Sequence, residues 1–216
     1  MRALVLALAL LALAVGCGGD GDDAGSPDTT GETTECESVE APNAREETRE
    51  APTEPLAAGT TYALVFDTSC GSFTVTLDQQ LAPQTAPSLV ALAESGYFDD
   101  TIFPRVVPDF VIQGGDPTQT GAGGPGYQTV DPPPDDARYT KGVVAMAKAQ
   151  TEPAGTSGSQ FFVVTGASAA VLTPDYAIVG EVTEGLDTVD RIAALGVTDG
   201  PPSQTVLVRS VTVSES

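Results

Sequence analysis

The stretch Phe103-Pro104-Arg105-Val106-Val107-Pro108-Asp109-Phe110-Val111-Ile112-Gln113-Gly114-Gly115-Asp116 is the most informative part of the 216-residue chain. Its two short runs, 103–107 and 110–113, are rich in β-branched and aromatic residues and read as strands. A glycine-rich segment follows, Pro117-Thr118-Gln119-Thr120-Gly121-Ala122-Gly123-Gly124-Pro125-Gly126-Tyr127. On its own that segment suggests a phosphate cradle. No Gly-Lys-Ser/Thr follows it, however, and no strand–turn–helix frames it, so phosphate binding is set aside.

Short strands recur on both sides. The runs 62–66 and 72–77 flank Asp67-Thr68-Ser69-Cys70-Gly71 and predict a hairpin. Between them and the opening stretch, 88–95 places Leu89, Leu92 and Ala93 at helical spacing. Thr85 is the expected N-cap, Pro87 falls in the first turn, and Gly96 suits the C′ position. Downstream, 143–147, 160–164 and 177–182 read as strands. A second helix is expected over 184–195, with Leu186, Val189, Ile192 and Ala193 on one face and a stop at Gly196. The runs 206–208 and 211–213 close the chain as a strand. Many short strands with two helices predict a mainly β fold, a closed antiparallel barrel with helices against its ends.

Composition narrows the chemistry. Nine Lys and Arg stand against 30 Asp and Glu, a net charge of -21, which argues against nucleic acid as a partner. The chain has no histidine, which removes imidazole-based nucleophile systems and the usual general base. Three scattered cysteines do not make a tetrahedral metal site, so no metal is expected.

The N-terminus has the form of an export signal. Met1-Arg2 precedes an uncharged apolar run to Val15 that is shorter than the ~20 residues of a spanning helix. The junction Leu13-Ala14-Val15-Gly16-Cys17 resembles a bacterial lipoprotein signal, which implies cleavage before Cys17 and acylation of that residue. Residues 1–16 are then a signal peptide, 17–58 an acidic disordered tether, and 59–216 the folded domain. Between positions 18 and 55 there are twelve acids against Arg45 and Arg49, a net of -10, with no aromatic residue. Such a segment buries too little apolar area to offset its ordering entropy and should extend by self-repulsion. Cys36 and Cys70 remain in an exported chain. A disulfide is the simplest reading, and two free thiols are the alternative.

Two further segments complete the pattern, Gly142-Val143-Val144-Ala145-Met146-Ala147 and Gly158-Ser159-Gln160-Phe161-Phe162-Val163. Together with the opening stretch they make the chain, from about Tyr62 to Val213, resemble the cyclophilin family of peptidyl-prolyl cis–trans isomerases, and most closely its exported bacterial members. The resemblance implies an eight-stranded closed antiparallel barrel capped by two helices, and an isomerase that needs no cofactor. It implies Arg105 as the catalytic donor, and Phe110, Val111, Phe162 and Leu172 as the lining of a proline pocket. Gln113 and Gln160 fall on the rim, and Ala147 and Lys148 supply backbone contacts to the residues before proline. Phe161 alternates to the other face and is assigned to the core. Pro104, Val111 and Lys148 depart from the His, Met and Asn common in the family. Val171 stands where animal cyclophilins carry Trp, and Tyr176 where they carry a pocket His; its ring can still wall the pocket.

The expected partners are proline-containing polypeptides and a membrane reached through the lipid on Cys17, placing a monomer on the outer face of the bacterial cell membrane. A non-catalytic peptide-binding holdase using the same groove is the competing function. A two-lobed solute-binding lipoprotein is disfavoured, because about 160 residues leave little room for two lobes.

Overall fold

Alternation builds the first hairpin. The computed structural model describes residues 35–216; the expected signal segment, Cys17 and the part of the expected tether up to residue 34 lie outside the described residues. In β1 (Tyr62–Thr68) Tyr62, Leu64 and Phe66 are buried, and in β2 (Gly71–Leu77) Phe73, Val75 and Leu77 are buried. The two strands pair antiparallel with Phe66 opposite Phe73, and the rings stack at 4.7 Å. This period of two lets one face of each strand join a common core.

The remaining strands are β3 (Thr101–Ile102), β4 (Arg105–Val107), β5 (Val111–Gly114), β6 (Thr129–Val130), β7 (Val143–Met146), β8 (Thr156–Ser157), β9 (Phe161–Val164), β10 (Ile178–Glu184) and β11 (Leu207–Glu215). Nine of them form one antiparallel sheet in the order β3-β11-β1-β2-β10-β7-β9-β5-β4, and β6 pairs with β8 separately. The expected mainly β, antiparallel architecture is present as a curled nine-stranded sheet whose ladders do not by themselves show closure into an eight-stranded barrel. Of the predicted strand 103–107 only 105–107 forms one, β4; β3, at 101–102, is not among the expected strands and is separated from it by Phe103-Pro104. β3 pairs with β11 and β4 pairs with β5, so the two ends of the sheet are joined by chain and not by a ladder. Pro104 has no N–H to donate there.

Across four strands the inward row runs Val106, Ile112, Val163 and Val144, paired in register and all buried. Phe161 lies on the same side, against Phe66 at 5.2 Å and edge-on to Phe98 and Phe103. Each such ring contributes about 1.5–3 kcal/mol by leaving water.

Helices α1 (Thr85–Glu94) and α2 (Leu186–Ala194) add Leu89, Leu92, Val189 and Ile192 to this cluster. Leu186 is half-exposed and leaves the predicted apolar face. α1 begins one turn earlier than 88–95, and Thr85 is its first residue, not its N-cap. The buried carboxylate of Asp131 takes that role: it accepts Gln84 N–H at 3.1 Å, Thr85 N–H at 2.7 Å and the Thr85 hydroxyl at 2.7 Å. An anion there also meets the positive end of the helix dipole.

The disordered tether expected through residue 58 is corrected for residues 35–58. They run along the domain as an extended strap. Cys36 is bonded to Cys70, and Glu37 N–H donates to Ser69 C=O at 2.7 Å while its carboxylate pairs with Arg209. Arg45, Glu47 and Arg49 alternate toward the domain and their neighbours away from it. Arg45 donates to Tyr97 C=O at 2.8 Å, and the Arg49 guanidinium lies 5.7 Å from the Tyr97 ring centroid. Mean composition predicts disorder, but here the segment's only two cations face the domain and a covalent bond fixes its start. Among the described residues no helix is long and apolar enough to cross a membrane.

Candidate active site

The outward face of the same strands carries the site. Arg105 pairs with Gln113, Gln113 with Phe162, and Phe162 with Ala145, so these side chains form one row perpendicular to the strands. Two residues along, Val111 pairs with Val164. Period-two alternation thus separates this row from the core row beside it.

Phe162 and Val111 are nearly buried and form the floor of an apolar patch; half-buried Phe110, Leu172 and Tyr176 pack around it. Tyr176 meets Phe162 edge-on at 5.5 Å. Tyr139, which sequence reasoning missed, stands behind both rings: its hydroxyl donates to Tyr176 C=O at 2.8 Å and accepts Tyr176 N–H at 3.0 Å. Burial raises its pKa above the ordinary tyrosine value, and the hydrogen bond to Tyr176 opposes that only in part. Val171, in contrast, is 80% exposed and walls nothing.

Arg105 is the cation of the site. Its Nε donates to Asp199 at 2.7 Å, and its guanidinium carbon lies 5.7 Å from the centroid of Phe110. No other hydrogen bond engages the guanidinium among the described residues, so its Nη groups remain available as donors. An exposed pair of this kind contributes about 0–1 kcal/mol to stability, and its main effect is to orient the fork.

The rim is polar. Gln113 Nε2 donates to Gln160 Oε1 at 3.1 Å, and Gln160 Nε2 donates to Gly123 C=O at 2.9 Å. Ala147 N–H is already engaged by Gln160 C=O at 2.8 Å, so of the backbone contacts expected at Ala147 only the carbonyl is left for a peptide. Lys148 folds back, with Nζ donating to Glu152 C=O at 3.0 Å and lying 5.6 Å from the Tyr176 ring centroid.

Three carboxylates unassigned in the sequence reading fix the surrounding loops. Asp109, at φ 56°, accepts Ala167 N–H at 3.0 Å and the Ser168 hydroxyl at 2.7 Å. It thereby ties the turn before Phe110 to the 3₁₀ turn Ala167–Val171 that leads to Leu172. The Ser168 hydroxyl, then the Ala167 N–H, hold its carboxyl below the usual aspartate value. Asp116, fully buried, accepts Thr118, Gly121 and Gly123 N–H groups and shapes the glycine-rich loop. Asp199 completes the set. The Asp of the GGD triplet was visible in the motif; Asp109 and Asp199 carried no local signal. Gly115 has φ 85°, and a Cβ there would stand 2.4 Å from Ser159 C=O, so the second glycine of the triplet permits close strand approach.

Two grooves flank the row. One of about 770 Å³ is lined by Gln113, Gly123, Ala147, Lys148 and Gln160; the other, about 430 Å³, lies along Pro104, Arg105 and Gly121. A separate groove of about 980 Å³, beside Leu56, Asp78 and Glu181, holds none of the site residues. Among the described residues no group of three acidic or Cys side chains is placed to hold a metal.

Known proteins share this fold and much of this sequence. A family model described as cyclophilin type peptidyl-prolyl cis-trans isomerase/CLD matches residues 63–213. The peptidyl-prolyl cis-trans isomerase-like 1 of Aspergillus oryzae is 37% identical over 158 residues, covering 70% of this chain and 96% of that protein. The protein of the same name from Bos taurus is 41% identical over 130 residues, covering 58% of this chain and 76% of its own length. Among solved structures, a Cryptosporidium parvum cyclophilin type isomerase crystallised in the presence of the dipeptide Ala-Pro superposes with a TM-score of 0.64 at 29% identity, covering 70% of this chain and 98% of that one. With a family match over residues 63–213 and a relative 37% identical over nearly its own full length, the chain belongs to the cyclophilin family of peptidyl-prolyl cis-trans isomerases, enzymes that rotate the X–Pro bond.

Proposed function

We propose that this chain accelerates X–Pro rotation in exported polypeptides, with Arg105 as the donor that favours the twisted amide. The observation that carries the reading is the row itself: a guanidinium with free Nη groups beside an apolar floor of Phe162 and Val111. The amide barrier of ~18–20 kcal/mol comes from resonance in the C–N bond. Rotation breaks that resonance and returns a lone pair to the prolyl nitrogen. No covalent bond or proton need move, so the absence of histidine is no obstacle. The proline ring seats on Phe162, Val111, Phe110 and Leu172, and Tyr176 closes the side. Arg105 donates to the substrate more strongly when the amide is twisted, which is what lowers the barrier.

One charge-assisted bond contributes about 1.5–3 kcal/mol, so Arg105→Ala should slow kcat/KM by roughly tenfold to a hundredfold. A protease-coupled assay on an X-Pro peptide reads this. Equal rates for wild type and variant, both near the uncatalysed value, would instead favour the holdase reading.

The location belongs to the same proposal. The signal-like run 1–16 and the lipoprotein-like junction at Cys17 support an acylated, membrane-tethered protein. The Cys36–Cys70 bond supports an oxidising compartment outside the cytoplasm. Cys17→Ser should move the protein from the membrane fraction to the soluble one; retention on the membrane would refute the anchor.

A further inference from the structure

Residues 35–60 lie outside the span matched by the family, yet they brace the loop that walls the site. That loop, 117–126, contains Gly121, Gly123, Gly124 and Gly126, so ordering it costs more chain entropy than an ordinary loop. From the inside it is held by Asp116 and by the bond from Gln160 to Gly123 C=O. From the outside it is held by the strap. Arg45 N–H donates to Pro117 C=O at 2.9 Å, Arg49 N–H donates to Pro125 C=O at 2.8 Å, and Gln119 Nε2 donates to Pro42 C=O at 2.9 Å. The strap is itself anchored away from the site. Arg45 binds Tyr97 C=O, Arg49 Nε donates to Ser95 Oγ at 3.2 Å, Glu47 pairs with both arginines, and Cys36 fixes the start.

We propose that residues 37–49 form a positioning strap. It holds the glycine-rich loop against Gln160 and so sets the affinity for an extended polypeptide segment on the N-terminal side of the proline. The inference rests on reading the groove between Gly123, Ala147 and Gln160 as the seat of the residues before proline. The strap touches neither Arg105 nor the Phe162 floor, so it acts on the affinity for longer chains and not on the rotation step. A loop with both faces held loses less freedom when a peptide binds, and preorganisation appears as affinity.

The test uses the full chain carrying Arg45→Ala and Arg49→Ala together, with Cys36→Ser as a second variant. Amide hydrogen exchange at 118–126 should quicken by about tenfold or more while β5 and β9 stay protected. KM for a peptide with four residues before the proline should rise about threefold to tenfold with kcat unchanged, and turnover of a peptide with one residue before the proline should stay at the wild-type rate. Unchanged exchange at 118–126 overturns the proposal, and so does an equal loss on both peptides. If wild type isomerises neither peptide, the proposed function has failed. Direct titration of the long and short peptides against wild type and variant then decides the strap: a selective weakening of the long one supports it, and equal affinities overturn it.

Discussion

The curled sheet and the strap beside it are held by different physics. The sheet is stabilised by a buried row of aliphatic and aromatic side chains, from Val106 through Ile112 and Val163 to Val144, with Phe161 beside them. The strap between Glu37 and Arg49 contributes no buried residue of its own. A disulfide, three hydrogen bonds to the glycine-rich loop and two arginines keep it in place. The difference teaches that order in an acidic segment needs no core of its own when a covalent tie and a few directed donors meet an existing surface.

The comparison can be broken at its strong end first. Phe161→Ala removes a ring that meets Phe66, Phe98 and Phe103, and should cost about 3–5 kcal/mol, a fall in Tm on the order of 10 °C. Thermal unfolding by circular dichroism reads it, and a fall of only a degree or two would mean the core does not centre on that ring. The Arg45→Ala, Arg49→Ala chain should lie well below this, at roughly 1 kcal/mol and about 3 °C, because its contacts are half-exposed. A loss as large as that from Phe161→Ala would make the strap part of the core and erase the distinction.

The smallest effect is a pH dependence. Burial pushes the Glu47 carboxyl up, but hydrogen bonds from Arg45 and Arg49, with their charges, outweigh it and hold the group below the ordinary glutamate value. A depressed carboxyl stabilises the folded state fully above its unfolded pKa, and that contribution is lost as pH falls through the lower folded value. Strap exchange at 45–49, taken relative to the intrinsic amide rate at each pH, should therefore rise as pH falls below about 4, by an amount worth at most ~1 kcal/mol. Glu47→Gln should flatten that rise; an identical profile in the variant would remove Glu47 from the account.

Much of the site was legible in the sequence because it sits on a strand-rich motif. Alternation puts Arg105, Gln113 and Phe162 on one face and Phe161 on the other, and family resemblance gives those positions a role. The parts that stayed hidden are the distant partners. Asp131 caps α1 from 46 residues away, Asp199 meets Arg105 from 94 away, and Tyr139 backs Tyr176 from 37 away. None of these separations has a period or a neighbour that would announce it.

The sequence by itself determined the strands longer than two residues, the two helices, the hairpin at Gly71 and the motif that names the family; the two-residue strands β3, β6 and β8 it left unread. These depend on local alternation, turn residues and the order of a few fixed blocks, all readable along the chain. Only the tertiary structure decided that the sheet turns back on itself at Phe103-Pro104 without closing its ladder, and that Asp131 caps the first helix. It alone laid the acidic segment from Cys36 to Arg49 against the glycine-rich loop. Those outcomes depend on which donors and acceptors remain unpaired once the core has closed, and that is a property of the folded surface.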